Sequence, residues 1–417
     1  MPATKKELLL ATLVFLAIPA LAELGLRVVH YSAEPQLYAP DSERGWKLRA
    51  NLEGVVHGEN RQFVRINSHG FRDVERSYEK PQGTVRIAVL GNSWTEALQV
   101  PQDATYTSVL QTTLSANGCF AGKSVEVLNF GVAGYSTAQE LLTLQQEVWK
   151  YEPDIVFLAF YPARDIANNV RSLNNAVKPE QSPYFFYRGG RLVLDDSFRA
   201  VPALQPHAIA LEDLSYQLDQ HVLLLQAIGA LQRIARTKTA MAVVKEKAAR
   251  AGVDNLEYSI YTPPADPAME EAWRVTEGLL TGVRDEVQNH NAQFRLIILP
   301  TRPQLIPEIT KRDALLRKLG VSDFNYAEQR IQTFCDREHI AAIALAPALS
   351  TFATANHVYL NGFNKNTLGT GHWNATGHRL AAEAIAAQLC ADAVAIEDEA
   401  STSVRRATAA PLKGTTP

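Results

Sequence analysis

The chain has 417 residues, 46% hydrophobic and 20% charged, enough to bury at least one large core; two domains are allowed by length alone. A net charge of −3 without a basic stripe gives no footing for nucleic acid. Cys119, Cys335 and Cys390 lie far apart with no metal-ligand spacing, so three buried or free thiols are expected, with one disulfide as the alternative.

Lys5 and Lys6 precede an uncharged apolar run from Leu8 to Ala22. As a helix that run spans about 22 Å, short of the roughly 30 Å hydrocarbon core of a bilayer. Carried through Glu23 and Arg27 to Val29 it is long enough, with both charges able to snorkel to one interface. Residues 1–30 therefore read as an uncleaved membrane anchor. A cleaved signal peptide is the alternative, since Ala20-Leu-Ala22 has the small-x-small pattern of a cleavage site, and a buried core helix is a third reading. Lysines before the span favour a cytoplasmic N-terminus, which exports the remainder.

From Tyr31 to about Thr84 the chain is rich in Gly, Pro, Asn and charge. Gly45-Trp-Lys-Leu48 and Phe63-Val-Arg-Ile-Asn67 predict short strands and Asn67–Asp73 a turn, making residues 31–84 a β-rich collar. Alternation follows. Val85–Leu90 is an apolar strand, Thr105–Ser115 a helix, Val125–Asn129 a strand, Thr137–Tyr151 a helix, and Asp154–Phe160 a strand apolar enough to be buried on both faces. These spacings predict βαβ units and a parallel sheet with right-handed crossovers. From Arg171 to about Asp266 the rhythm breaks: a hairpin turning at Gly189-Gly190, a helix over His221–Arg236, and an exposed Ala- and Lys-rich helix over Thr237–Arg250. This insertion is expected to cap or flank the sheet, where insertions often shape a substrate cleft. Afterwards Glu270–His290 is helical, Phe294–Leu299 a strand, Asp313–Leu319 and Tyr326–Arg337 helices, Ile340–Leu345 a strand and Ala375–Cys390 a last helix. From Ile396 onward the chain lacks periodicity and is expected to be disordered. The fold class is thus α/β, a three-layer α/β/α sandwich with a central parallel sheet over residues 85–395.

In open α/β sheets the chemistry sits at the carboxyl ends of parallel strands. Val85-Arg-Ile-Ala-Val-Leu-Gly91 runs into Asn92 and Ser93, where helix N–H groups would face an incoming oxyanion. Ser93 is the candidate nucleophile. Gly91-Asn-Ser93-Trp-Thr95 lacks the second glycine of a G-x-S-x-G elbow, which disfavours an α/β-hydrolase. An ester-cleaving serine also needs a base, a group to hold that base, and oxyanion donors. His372, just before the last helix, is the candidate base; His378, inside that helix, is the weaker one. No metal site or cofactor is expected, because the histidines lack paired helical spacing or partner cysteines and no glycine-rich phosphate loop occurs.

Four blocks in order make the chain resemble an SGNH (GDSL-type) hydrolase. Gly91-Asn-Ser93 resembles the nucleophile block, and Asn129-Phe-Gly-Val-Ala-Gly134 the block whose glycine N–H lines the oxyanion hole, mapping onto Gly134. Tyr161-Pro-Ala-Arg-Asp165 resembles the Gly-x-Asn-Asp block, and His372-Trp-Asn-x-x-Gly377 the block with the base. The anchor-plus-collar layout resembles membrane-tethered bacterial members, which implies a periplasmic domain, or a secreted one if the N-terminal segment is cleaved. Three departures stand out. Asn92 replaces aspartate and keeps hydrogen-bonding capacity. Arg164 replaces the oxyanion asparagine; as a cationic donor it could hold a negative charge, the alternative being a surface arginine paired with Asp165 or Glu96. The acid expected two or three residues before the base is missing, with Gly369 and Thr370 there instead. Either a backbone carbonyl orients His372 in a Ser–His dyad, or an acid comes from elsewhere. The resemblance implies an exported serine hydrolase acting on an acylated small molecule or polysaccharide, with O-acyl groups of a cell-envelope glycan as the substrate guess. The alternatives are an O-acyltransferase and a degenerate domain that binds a glycan or protein partner without turnover.

Overall fold

The computed structural model describes residues 4–174, 179–235 and 258–408, with side chains to residue 392. Its centre is a five-stranded, wholly parallel sheet of β5 (Thr84–Gly91), β6 (Ser124–Gly131), β7 (Ile155–Phe160), β10 (Gln293–Ile298) and β11 (Ala341–Ala344). The spatial order is β11-β10-β7-β5-β6, so strand order reverses beside β5, the strand that ends just before Asn92. Every residue of β5 and β7 is buried, which is why both read as unbroken apolar runs.

Helices cover both faces. On one, α3 (Tyr106–Asn117) packs against α12 (Ala375–Thr408); on the other, α4 (Thr137–Gln146) and α5 (Pro162–Asn168) pack against α8 (Pro267–Asn289). In α8, Trp273, Thr276, Leu280, Val283 and Val287 recur at steps of three and four and are buried, the periodicity of an amphipathic helix facing a core. α9 (Ile309–Leu319), α10 (Tyr326–Arg337) and α11 (Ala346–Asn356) complete the C-terminal half. Cys119 and Cys390 form a disulfide across 271 residues, while Cys335 is free and buried. The expectation of three free thiols is corrected: packing of α3 on α12 brings the two Cα atoms to 5.1 Å, a proximity that spacing along the chain does not reveal.

Before the sheet, α1 (Lys5–Val28) is an apolar helix with a mean hydropathy of 2.2 over its best window and no buried residue. Two antiparallel ribbons follow: β1 (Tyr38–Asp41) with β2 (Gly45–Leu48), and β3 (Glu53–His57) with β4 (Arg61–Arg65). They share a small core with Val132 and Tyr135, so the ribbons pack on the loop that leaves β6.

The hairpin in the insertion is β8 (Tyr184–Arg188) with β9 (Arg191–Asp195), turning at Gly189-Gly190. The helix expected over 221–236 is α7 (Leu223–Ala235), and α6 (Pro206–His221), which was not expected, precedes it across a break at Val222. The predicted helix over Thr237–Arg250 lies outside the described residues from 236 onward. α11 was not expected, since its alanines give little apolar periodicity. α12 runs to Thr408, past the expected onset of disorder at Ile396, because Ala, Glu and Arg propagate a helix once it is nucleated.

Candidate active site

Ser93 opens α2 (Ser93–Glu96), the short helix that β5 turns into. Asn92 caps it, its side-chain oxygen accepting from the Trp94 amide at 3.1 Å. The turn is tight enough to require glycine on two strands. A Cβ at Gly91 would lie 2.1 Å from Thr95 Oγ1, and one at Gly131 would lie 2.3 Å from the Glu96 nitrogen. The other face of Asn92 donates through Nδ2 to Asp165 Oδ1 at 3.0 Å, and Asp165 Oδ2 accepts from the Tyr161 amide at 2.7 Å. The amide at position 92 thus uses both its donor and its acceptor, tying the end of β5 to the start of α5.

His372 arrives on the loop before α12. Trp373 is fully buried, and Asn374 caps the helix by accepting from Thr376 and Gly377 amides at 3.1 and 3.2 Å while donating to Tyr359 and Gly362 carbonyls. Those anchors hold His372 Nε2 2.8 Å from Ser93 Oγ. The imidazole also lies against the Trp94 ring, centroids 4.8 Å apart.

The acid absent before His372 comes from the ribbons. Glu59, at the tip of the β3–β4 hairpin, places Oε1 2.7 Å from His372 Nδ1 and accepts the His372 backbone N–H on Oε2 at 2.7 Å. Asn60 steadies the tip by donating to the Gln99 carbonyl at 3.0 Å. Partial burial raises the Glu59 pKa, but hydrogen bonds from His372 and the Arg302 charge outweigh it, and the net shift is downward. An ionised Glu59 accepts only, so Nδ1 carries the proton and Nε2 is left to accept from the Ser93 hydroxyl. Gly371 permits the approach: its φ is +67°, and a Cβ there would sit 2.1 Å from Glu59 Oε2. Sequence reasoning missed Glu59. Its signals were indirect, an acid-free Gly369-Thr-Gly371 and a glutamate between Gly58 and Asn60 at a turn.

Gly134, with φ +81°, lines the same cavity as Ser93. Its loop is fastened from both sides: Val132 N–H donates to the Gly91 carbonyl, Trp46 Nε1 to the Ala133 carbonyl, and Ala133 N–H to the Glu96 carboxylate. Among the described residues, neither the Ser93 nor the Gly134 amide donates to a protein acceptor. Arg164 is exposed at the cavity wall, and its charge is felt by buried Asp165, whose pKa burial nevertheless raises to about 7. Asn168, one turn further along α5, is a buried amide in the same wall. The cavity measures about 370 Å³, and Arg302 closes another side. No described residue of the insertion 171–266 lines it, contrary to the expectation that the insertion shapes the cleft. β8 packs on α8 and α6 on the ribbons instead.

His378 is not part of this constellation. It is fully buried, accepts the Tyr106 amide on Nδ1 at 3.2 Å, and burial drives its pKa down to about 3, leaving it a neutral acceptor.

No protein-family model and no curated protein matches the chain. Among solved structures it is similar to the acetyl xylan esterase AlAXEase, at 14% identity over 72% of this chain and 98% of that one, TM-score 0.36. It is also similar to a catalytic mutant of Axe2, an acetylxylan esterase from Geobacillus stearothermophilus, at 9% identity over 73% and 94%, TM-score 0.36. A third is LAE5, an alpha/beta hydrolase enzyme from the metagenome of Lake Arreo, Spain, at 14% over 75% and 97%, TM-score 0.35. At such identities and scores these likenesses carry no argument about activity; the geometry joining Ser93, His372 and Glu59 does.

Proposed function

We propose that this chain is a serine hydrolase of the SGNH type that cleaves carboxylic esters, with Ser93 as nucleophile, His372 as base and Glu59 as the acid that orients it. The observation that carries the reading is the hydrogen-bonded chain from Ser93 Oγ to His372 to Glu59, at 2.8 and 2.7 Å, at the point where strand order reverses.

Ser93 Oγ attacks the acyl carbonyl as Nε2 takes its proton. Glu59 holds Nδ1–H and stabilises the imidazolium that forms. The carbonyl oxygen becomes an oxyanion facing the N–H groups of Ser93 and Gly134, with Arg164 adding positive charge at the wall. His372 then protonates the departing alcohol, and water repeats the sequence to free Ser93. The binding-only alternative rests on the missing acid and on Arg164; Glu59 supplies an acid, while Arg164 still stands where the family's asparagine would.

The substrate we favour is an O-acyl group on a cell-envelope glycan, reached by a domain that α1 tethers on the extracytoplasmic side. The 24-residue apolar helix and the Cys119–Cys390 disulfide, a bond suited to oxidising compartments, support that placement. The test is p-nitrophenyl acetate hydrolysis by the full chain with fluorophosphonate labelling. Wild type should turn over substrate and be labelled at Ser93, and Ser93→Ala should do neither. Equal rates in both, with Ser93 unlabelled, would overturn the proposal.

A further inference from the structure

α6 and α7 each present a stripe of exposed aliphatic residues. In α6, Glu212 and Asp213 pair with Arg49, the Tyr216 ring lies 3.9 Å from the Arg49 guanidinium carbon, and Asp219 accepts from Gln36. These contacts hold one face of α6 to the ribbons. Leu211, Leu214 and Leu218 occupy the other face at steps of three and four, between 52% and 64% exposed. Leu225, Ile228 and Leu231 follow at steps of three on α7, between 39% and 68% exposed. A stripe of this kind on a surface helix ordinarily faces a core, and a contiguous exposed one marks an interaction surface.

Its position identifies the partner. The break between α6 and α7 is hydrogen-bonded to the last turns of α1. The Glu23 carboxylate accepts from the amides of Leu223 at 3.2 Å and Leu224 at 2.8 Å, and Arg27 donates to the His221 carbonyl at 3.1 Å. The two stripes therefore begin where the wholly exposed apolar surface of α1 ends, at the level of its first charged pair. The six exposed positions are all Leu or Ile. They lack the Trp, Tyr and Arg that anchor protein–protein interfaces, and they match the leucine-rich face of a helix lying in a lipid interface.

We propose that α6 and α7 lie on the bilayer that α1 crosses, with their aliphatic faces in the boundary between headgroups and acyl chains. The hydrolase domain is then held at a fixed attitude to the lipid instead of swinging on a tether. This inference rests on α1 being a retained membrane span, as proposed above.

The test uses the full chain reconstituted into phosphatidylcholine–phosphatidylglycerol vesicles, with single bimane-labelled cysteines at Leu214→Cys and Ile228→Cys. Leu16→Cys in α1 reports the span, and Thr112→Cys at an exposed position of α3 reports water. Native Cys119 and Cys390 are bonded and Cys335 is buried, so labelling is confined to the introduced thiol. Lipids brominated along the acyl chain should quench labels at 16, 214 and 228 by about twofold or more and leave 112 unchanged, the signature of an interfacial helix beside a span. Quenching at 16 with 214 and 228 behaving like 112 overturns the inference and leaves the anchor standing. No quenching at 16 removes the anchor and the inference together. Labels at 214 and 228 shielded from aqueous iodide but insensitive to bromolipid would mark a protein partner, which also overturns it.

Discussion

Replacing Glu59 with glutamine keeps the shape of the side chain and removes its charge, which isolates what the acid does for His372. Its contribution can be worked from the geometry. Charge centres about 4 Å apart interact by about 4 kcal/mol at an effective dielectric of about 20. The Glu59 side chain is 35% exposed and that of His372 22%, so screening reduces this to about 2 kcal/mol. Loss of the charge-assisted bond to Nδ1–H adds about 1–2 kcal/mol. At roughly 1.4 kcal/mol per decade, Glu59→Gln should lower kcat/KM by roughly 100- to 1000-fold, mainly through kcat. p-Nitrophenol release by the detergent-solubilised full chain measures it, with a melting curve to show that the fold is intact. A glutamine variant that melts like wild type yet keeps kcat/KM within about threefold would refute the reasoning and make the Glu59 contact incidental.

Gly371→Ala puts a methyl group on the Glu59 carboxylate at a left-handed backbone position, so activity should fall about tenfold or more while stability falls by only about 1–2 kcal/mol, read by kinetics and chemical denaturation together. Glu96 is fully buried, and burial lifts its pKa from 4.5 to about 7. Its stabilising contribution is therefore complete below about pH 4.5 and is lost as pH rises through about 7, up to about 3 kcal/mol in all. Glu96→Gln can keep the contacts to Tyr38 and the Ala133 amide, so its melting temperature should overtake wild type across that window; parallel pH curves would contradict the buried-acid account. Cys390→Ser should lower unfolding stability by about 2–4 kcal/mol, measured against wild type without reductant, and the difference should vanish with reductant present.

Much of this molecule was legible because its parallel sheet is buried on both faces. Val85–Leu90 and Asp154–Phe160 announce themselves as apolar runs, and their ends locate Ser93 and the Tyr161–Asp165 block without any contact information. Gly134 was legible for the same reason, since it follows a recognisable strand, and His372 because it stands just before the last helix. Glu59 was not. Its role depends on a hairpin tip meeting a loop 313 residues later, and no local pattern separates it from any other turn glutamate. The Cys119–Cys390 pairing is the same case, set by helix α3 lying on α12. Helix α6 was not legible, because among the acidic and polar residues of Pro206–His221 only Leu211, Leu214 and Leu218 form an apolar pattern. Arg164 was legible as a departure, but its reach was not: whether a long cation at a wall touches an oxyanion is decided by rotamers.

The hairpin that carries Glu59 has a consequence in time as well as in space. The acid leaves the ribosome first, the serine next, and the histidine 279 residues after the serine. The chain between them must fold, and for an exported chain cross the membrane, before the imidazole can meet either partner. A nascent or half-translocated chain therefore has an unpaired serine and an idle carboxylate but no relay between them. On the proposed mechanism, hydrolytic power is withheld until the C-terminal helix docks, and the Cys119–Cys390 bond can then lock that helix in place.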